Sequence, residues 1–253
     1  MSRMEDYESL FQQRGNRYHQ AMKLVPNARD REFAQVVRHL RPRPNDMVAD
    51  VPAGGGYLGR YLPASTTYWA HEPCDTFGPA PHVDRDKPEH GPELLPLPWK
   101  DQSIDAVVSL AGVHHLECKQ GFFDECRRVT REDGRFVLSD VDEDSAVARF
   151  LDDFVGAHNS TGHEGLYLSN LTRDELAASG WSVHLDQRVS CPWVFADAQQ
   201  LAFFFRTLFD LQGLEDSQIL EAVEAYLGIN SSEQLEVAWS LRTLVALPTH
   251  HPQ

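Results

Sequence analysis

The chain is short of cysteine, of basic charge and of long apolar runs, and each shortage removes a class of function. Its four cysteines, Cys74, Cys118, Cys126 and Cys191, show neither the paired spacing of a zinc site nor a secreted disulfide framework, so reduced thiols are expected. Lys and Arg number 23 against 38 Asp and Glu, a formal net charge of −15. That balance argues against nonspecific binding to nucleic acid, where neutralising phosphates requires clustered cations. The short basic run Arg38, Arg41 and Arg43 reads as a solvated helix end. No apolar run reaches the ~18 residues that a membrane span needs, and no positive-then-apolar leader is visible. A cytoplasmic protein without integral membrane association is therefore expected.

What is present suits a mixed α/β protein. At 253 residues and 42% hydrophobic content, the chain can bury one α/β core with segments left over to cover it. Residues 1–44 read as an N-terminal helical cap, with Asn27 a candidate cap before a helix through Val36 and Leu40. Tyr7, Phe11, Arg14 and Tyr18 recur there at helical spacing, a stripe that ordinarily packs into a core although it could face a site. Residues 45–195 read as the core, alternating strands and helices around a mostly parallel sheet. Thr172 with Glu175 opens a helix ending near Gly180, and Trp181–Val189 and Cys191–Phe195 read as two strands around a turn. Residues 196–253 form a C-terminal addition of three helical segments broken near Gly213 and near Gly228 to Ser231. It is read as a lid, a homodimer surface or simple packing.

The densest signal is VADVPAGGGYLGRYL, residues 48–62: an apolar strand ending in Asp50, a glycine-rich turn, and residues that can start a helix. Gly54 and Gly56 carry no Cβ, so the backbone can take positive φ and let a bulky ligand approach. About 20 residues into this kind of unit a carboxylate commonly accepts from both hydroxyls of a ribose. Glu72, at the tip of the extended run Thr66–Ala70, fits that role. Asp50 inside the turn would repel a pyrophosphate and attract an ammonium group. The electrostatics therefore favour adenosylmethionine over a dinucleotide.

On these residues the chain resembles the class I S-adenosylmethionine-dependent methyltransferases. Their first motif reads here Asp50, Val51, Pro52, Ala53, Gly54, Gly55, Gly56, with Pro52 in place of the first glycine. LPLPWKDQSIDAVVSLAGVHHL (95–116) and FFDECRRVTREDGRFVLSDV (122–141) continue the resemblance in family order, nearest to small-molecule methyltransferases of the quinone-biosynthesis type. The resemblance implies a Rossmann-like, mostly parallel seven-stranded sheet with an antiparallel C-terminal hairpin. It implies S-adenosyl-L-methionine as cofactor and S-adenosyl-L-homocysteine as product. Asp50, Pro52, Ala53, Gly54, Gly56, Glu72, Leu110 and His114 would contact that cofactor. The family acid that meets adenine is not assigned, since the corresponding position is Gly91 and Asp84, Asp86 and Glu93 all lie nearby.

The acceptor side is read from histidines. Methyl transfer is an in-line displacement that needs alignment and desolvation more than acids, but a hydroxyl or acidic carbon must lose a proton, for which histidine suits. His158 and His163 in HNSTGHEGLY (158–167) are the candidates for that step. His114 and His115, if extended, would point to opposite faces, so at most one reaches the cleft. No metal is expected, because the spacing of His158, His163 and Glu164 matches no standard ligand pattern. The expected function is methyl transfer to an O, N or C atom of a small-molecule acceptor. A noncatalytic adenosylmethionine-binding regulator or scaffold and an NAD-dependent oxidoreductase are the alternatives.

Overall fold

A computed structural model describes residues 7–77, 93–231 and 233–249. Strands β1 (Met47–Asp50), β2 (Thr67–Ala70), β3 (Ile104–Leu110) and β4 (Thr130–Asp140) pair in parallel, with β1 between β2 and β3. Val48, Ala49, Val107, Val108, Val137 and Leu138 are buried, as strands covered on both faces require, and this explains their unbroken apolar runs. Helix α2 (Asp30–Leu40) lays Phe33, Val36 and Leu40 into one core layer, and α3 (Lys119–Val129) lays Phe122, Phe123 and Cys126 into the other. Asn27 does not cap α2 with its side chain. Its backbone carbonyl accepts the Asp30 N–H, while its Oδ1 accepts from Arg60.

The far half of the sheet departs from the expected hairpin. The sheet order is β2-β1-β3-β4-β9-β5, six strands rather than seven among the described residues. Strand β5 (Trp181–Ser190) pairs antiparallel with β9 (Ser240–Pro248), which inserts between β4 and β5. The stretch Trp193–Phe195 (β6) belongs instead to a small second sheet with β7 (Ile229–Ser231) and β8 (Leu235–Val237), in the order β6-β8-β7. The third helical segment expected after Ser231 is thus largely strand, in β8 and β9. In β9, Leu241, Thr243, Leu244 and Ala246 are buried between neighbours on both sides, a burial set by pairing partners far away in sequence.

Residues 191–239 therefore form an insertion between the last two strands of the main sheet. It carries β6, helices α7 (Ala198–Leu208) and α8 (Asp216–Tyr226), β7 and β8. Helix α1 (Tyr7–Leu24) packs along α7, so the N-terminal helix meets the insertion. The chain segment before β3 is pinned by Arg128, which donates to the Leu97 and Trp99 carbonyls and to Asp101 and Glu125. Glu125 in turn accepts the Leu97 N–H at 2.8 Å. Arg128→Ala is expected to cost about 1–3 kcal/mol in urea unfolding, since it strips partners from two carbonyls. A loss indistinguishable from zero would show that these bonds are replaced by water.

Candidate active site

The turn after β1 is tied down by backbone bonds before any ligand is considered. Val51 N–H donates to Val108 O, Ala53 N–H to His71 O, and His71 N–H to Asp50 O. Gly54 and Gly56 have φ of 54° and 69°, a region where an L side chain is strained. The expected helix after the turn is a five-residue 3-10 helix, Tyr57–Tyr61. Glu72 at the tip of β2 closes onto the same loop: its carboxylate accepts the Gly54 N–H at 2.8 Å and the Cys74 N–H at 3.0 Å. The acid is thus hydrogen-bonded to the loop 18 residues before it, although Glu72 is not among the residues lining the crevice beside that loop.

Asp50 is 3% exposed at the end of β1 and accepts from the Tyr68 hydroxyl at 2.6 Å. Burial, with the Asp50 charge beside it, pushes the Tyr68 hydroxyl well above its usual range, so it remains a donor. The crevice above these groups, about 480 Å³, is lined by Asp50, Pro52, Ala53, Gly54, Leu110 and Ala111, with Tyr18 and Phe77 across from them. Gly112 lets Pro52 fold against the end of β3, where an added Cβ would lie 2.5 Å from Pro52 Cγ.

A second cavity of about 600 Å³ adjoins the first, and Phe11, Tyr18, Arg29 and Ala111 line both. Its walls include Trp193, Trp239, Phe209, Arg14, Glu32 and the three histidines His114, His115 and His163. Phe11, Arg14 and Tyr18 thus line the cavity, while Phe11 and Tyr18 also pack against buried clusters as the stripe predicts. Between the cavities stands a buried network. Arg29 donates to Tyr18 and to Glu32, and Trp193 Nε1 donates to Glu32 Oε2 at 2.6 Å.

His114 and His115 do not point to opposite faces. Residues Val113–His115 form a 3-10 turn, not an extended segment, which brings the two rings to 4.0 Å and sets both in the second cavity. His114, expected against the cofactor, therefore lines the second cavity and not the crevice beside the glycine turn. Its Nδ1 lies 2.6 Å from Asp140 Oδ1, and the Asp140 carboxylate also accepts the Val113, His114 and Val141 N–H groups. Burial works to raise the Asp140 carboxyl, but His114 and these donors outweigh it and hold it below its ordinary value.

His163 also lines the second cavity, its side chain 4% exposed. Burial, reinforced by His114 and Arg14, holds it below the usual imidazole value against the opposing bond to Asp152. Burial lowers His115 well below that value too, with His114 and His163 adding to the effect. The His163 backbone sits close over Gly156, where an added Cβ would be 2.8 Å from the His163 carbonyl. Gly156 follows a π-helical turn, Phe150–Val155, a widening that often accompanies functional sites. His158, by contrast, ends that helix with its ring against Phe154 and is not among the residues lining either cavity.

Other site residues carried no sequence signal. Arg29 and Glu32, spaced i and i+3 at a helix start, look like an ordinary solvated pair, and Trp239 lies in a stretch with a helical reading. Of the acids near the adenine position, Asp84 and Asp86 lie outside the described residues and Glu93 is exposed.

The sheet order, the glycine turn facing an acid on the next strand, and the antiparallel end define the class I methyltransferase fold. Residues 82–138 match the family model described as a methyltransferase domain. No curated protein sequence matches the chain. Among solved structures, a Haloferax volcanii methyltransferase in complex with the activator Trm112 superposes with a TM-score of 0.66 at 17% identity, covering 98% of this chain and 100% of that one. YcgJ of Bacillus subtilis gives 0.62 at 15% identity, covering 87% and 98%. Geranyl diphosphate C-methyltransferase of Streptomyces coelicolor, solved with Mg2+, geranyl diphosphate and S-adenosyl-L-homocysteine, gives 0.52 at 12% identity, covering 86% and 78%. The chain has the fold of the class I methyltransferases, and a methyltransferase-domain match lies within it. No helix among the described residues is long and apolar enough to cross a membrane.

Proposed function

We propose that this enzyme methylates an oxygen, nitrogen or carbon atom of a small metabolite held in the second cavity. The supporting observation is the shared wall of Phe11, Tyr18, Arg29 and Ala111, which sets the crevice at the glycine turn beside an aromatic cavity. The net charge of −15 and the four free cysteines support a cytoplasmic setting and disfavour nucleic acid as acceptor.

The crevice residues fit S-adenosylmethionine. Glycine backbone at positive φ permits close approach, the buried Asp50 carboxylate attracts the ammonium, and Glu72 stands where a ribose diol would replace the loop amides it now accepts from. In our assignment Pro52, Ala53, Gly54, Gly56 and Leu110 form the rest of that cradle. The bound cofactor supplies a methyl carbon activated by the adjoining sulfonium. The chain's task is to align the acceptor, exclude water from the junction and draw off the proton that the nucleophile sheds. His163 is the one of the two expected histidines that reaches the cavity, and we assign it to that last step.

Glu72→Ala is expected to weaken S-adenosylhomocysteine binding by about 1–3 kcal/mol in calorimetry, as for a lost charge-assisted hydrogen bond. Unchanged affinity removes the ribose assignment. Transfer of labelled methyl groups to small phenols, amines and acidic carbon compounds tests the reaction itself. Cofactor binding without transfer to any of them would point to a regulator, and preference for NAD in the same titration to an oxidoreductase.

A further inference from the structure

The geometry points to a divalent metal site of the Zn2+ type formed by His114, His115 and His163 at the acceptor end of the second cavity. Each offers one ring nitrogen, and the three atoms lie within 4.8 Å of one another. A tetrahedral ion with ligand distances of about 2.0–2.1 Å needs its nitrogens ~3.4 Å apart, so ring rotations that draw them in by roughly 1.5 Å suffice. The ring centroids are 4.0, 5.8 and 5.5 Å apart, which is already a converging set.

The groups behind the rings favour the same assignment. A ligating histidine is usually fixed by a carboxylate on its other nitrogen, which sets the tautomer and aims the lone pair. Asp140 stands 2.6 Å from His114 Nδ1 and is itself held by three backbone N–H groups. Asp152 stands 3.4 Å from His163 Nδ1 and accepts from the Gly165 N–H and the Tyr167 hydroxyl. Two of the three rings therefore have their Nδ1 committed and their Nε2 available. Hydrophobic packing alone gives no reason to gather three imidazoles here.

Arg14 lines the same cavity, and its charge opposes a bare dication while favouring an anionic fourth ligand. Flat aromatic walls from Trp193, Trp239 and Phe209 suit an aromatic hydroxyl compound whose oxygen supplies that ligand. Coordination would lower the hydroxyl pKa, so the oxygen loses its proton to solvent and its lone pair attacks the methyl carbon as the carbon–sulfur bond breaks toward sulfur. This acceptor class rests on the function proposed above and makes His163 promote the proton's loss as a metal ligand instead of accepting it directly; the metal site itself does not depend on that class.

The test is titration of metal-stripped full-length protein with Zn2+ by calorimetry and with Co2+ by its visible absorption, with no cofactor or acceptor present. One ion per chain with submicromolar affinity is expected. His115→Gln and His163→Gln should each weaken binding by at least about 100-fold, and Asp152→Asn by about 10–100-fold. His184→Gln, outside the cavity, should leave it unchanged. Each variant counts as folded if it keeps wild-type affinity for S-adenosylhomocysteine. Absence of stoichiometric binding, or binding that survives the double variant H115Q/H163Q, overturns the site. If metal binding fails while labelled methyl transfer persists, only this inference falls; if transfer fails while metal binds, only the proposed function does.

Discussion

His163→Gln is expected to lower kcat by about 10²–10⁴-fold, the usual contribution of a positioned proton-handling group. Affinity for S-adenosylhomocysteine should stay at its wild-type level, because His163 lines the second cavity and not the cofactor crevice. Glutamine is the informative replacement: its amide can still meet Asp152, so the buried neighbour is not stranded, but it neither accepts a proton at neutral pH nor binds a transition metal well. Single-turnover measurements with saturating cofactor read the chemical step directly. A kcat within a few-fold of wild type would remove His163 from the reaction and leave the cavity with no proton acceptor among the expected candidates. His158→Gln, whose ring stands against Phe154, should leave kcat unchanged.

The second large effect concerns stability. Trp193→Ala should cost about 3–5 kcal/mol in urea unfolding, the range for deleting a large buried aromatic side chain. Trp193 is 2% exposed and stacks on Trp239 at 4.0 Å, with Phe204 and Phe205 against it. Its Nε1 donates to buried Glu32 and the Arg29 guanidinium lies 5.4 Å from its ring centroid. Truncation thus opens a void and also strips a donor from a buried carboxylate. Trp193→Phe keeps most of the apolar contact, so the difference between the two variants isolates the Glu32 bond. A loss below about 1 kcal/mol for the alanine variant would mean that the insertion repacks freely around the gap.

The parts of the molecule that could be read from sequence are those whose chemistry is local. The glycine turn, Asp50 before it and Glu72 after it lie within 23 residues, and their hydrogen-bonded closure follows from strand, turn and strand in succession. The strand after Asp105 and the buried run before Asp140 were legible for the same reason, although that strand, read through Val113, ends at Leu110. The reading failed where a partner is remote. Strand β9 pairs with β4 and β5 across the whole insertion, and nothing near Leu241 or Leu244 announces neighbours that far away. Likewise His114 and His115 needed the 3-10 turn to be seen as a pair, and Phe11, Arg14 and Tyr18 needed the position of α1 to be seen as a wall.

The insertion between β5 and β9 separates two kinds of inheritance within one enzyme. The crevice proposed for the methyl donor is lined from the ends of β1 and β3, whereas Trp193, Leu208, Phe209 and Trp239 of the second cavity come from residues 191–239. Exchange of that single contiguous block between relatives would then alter which compound is methylated while leaving the donor's binding constant in place, so new specificities are open to this scaffold by recombination at two loop ends.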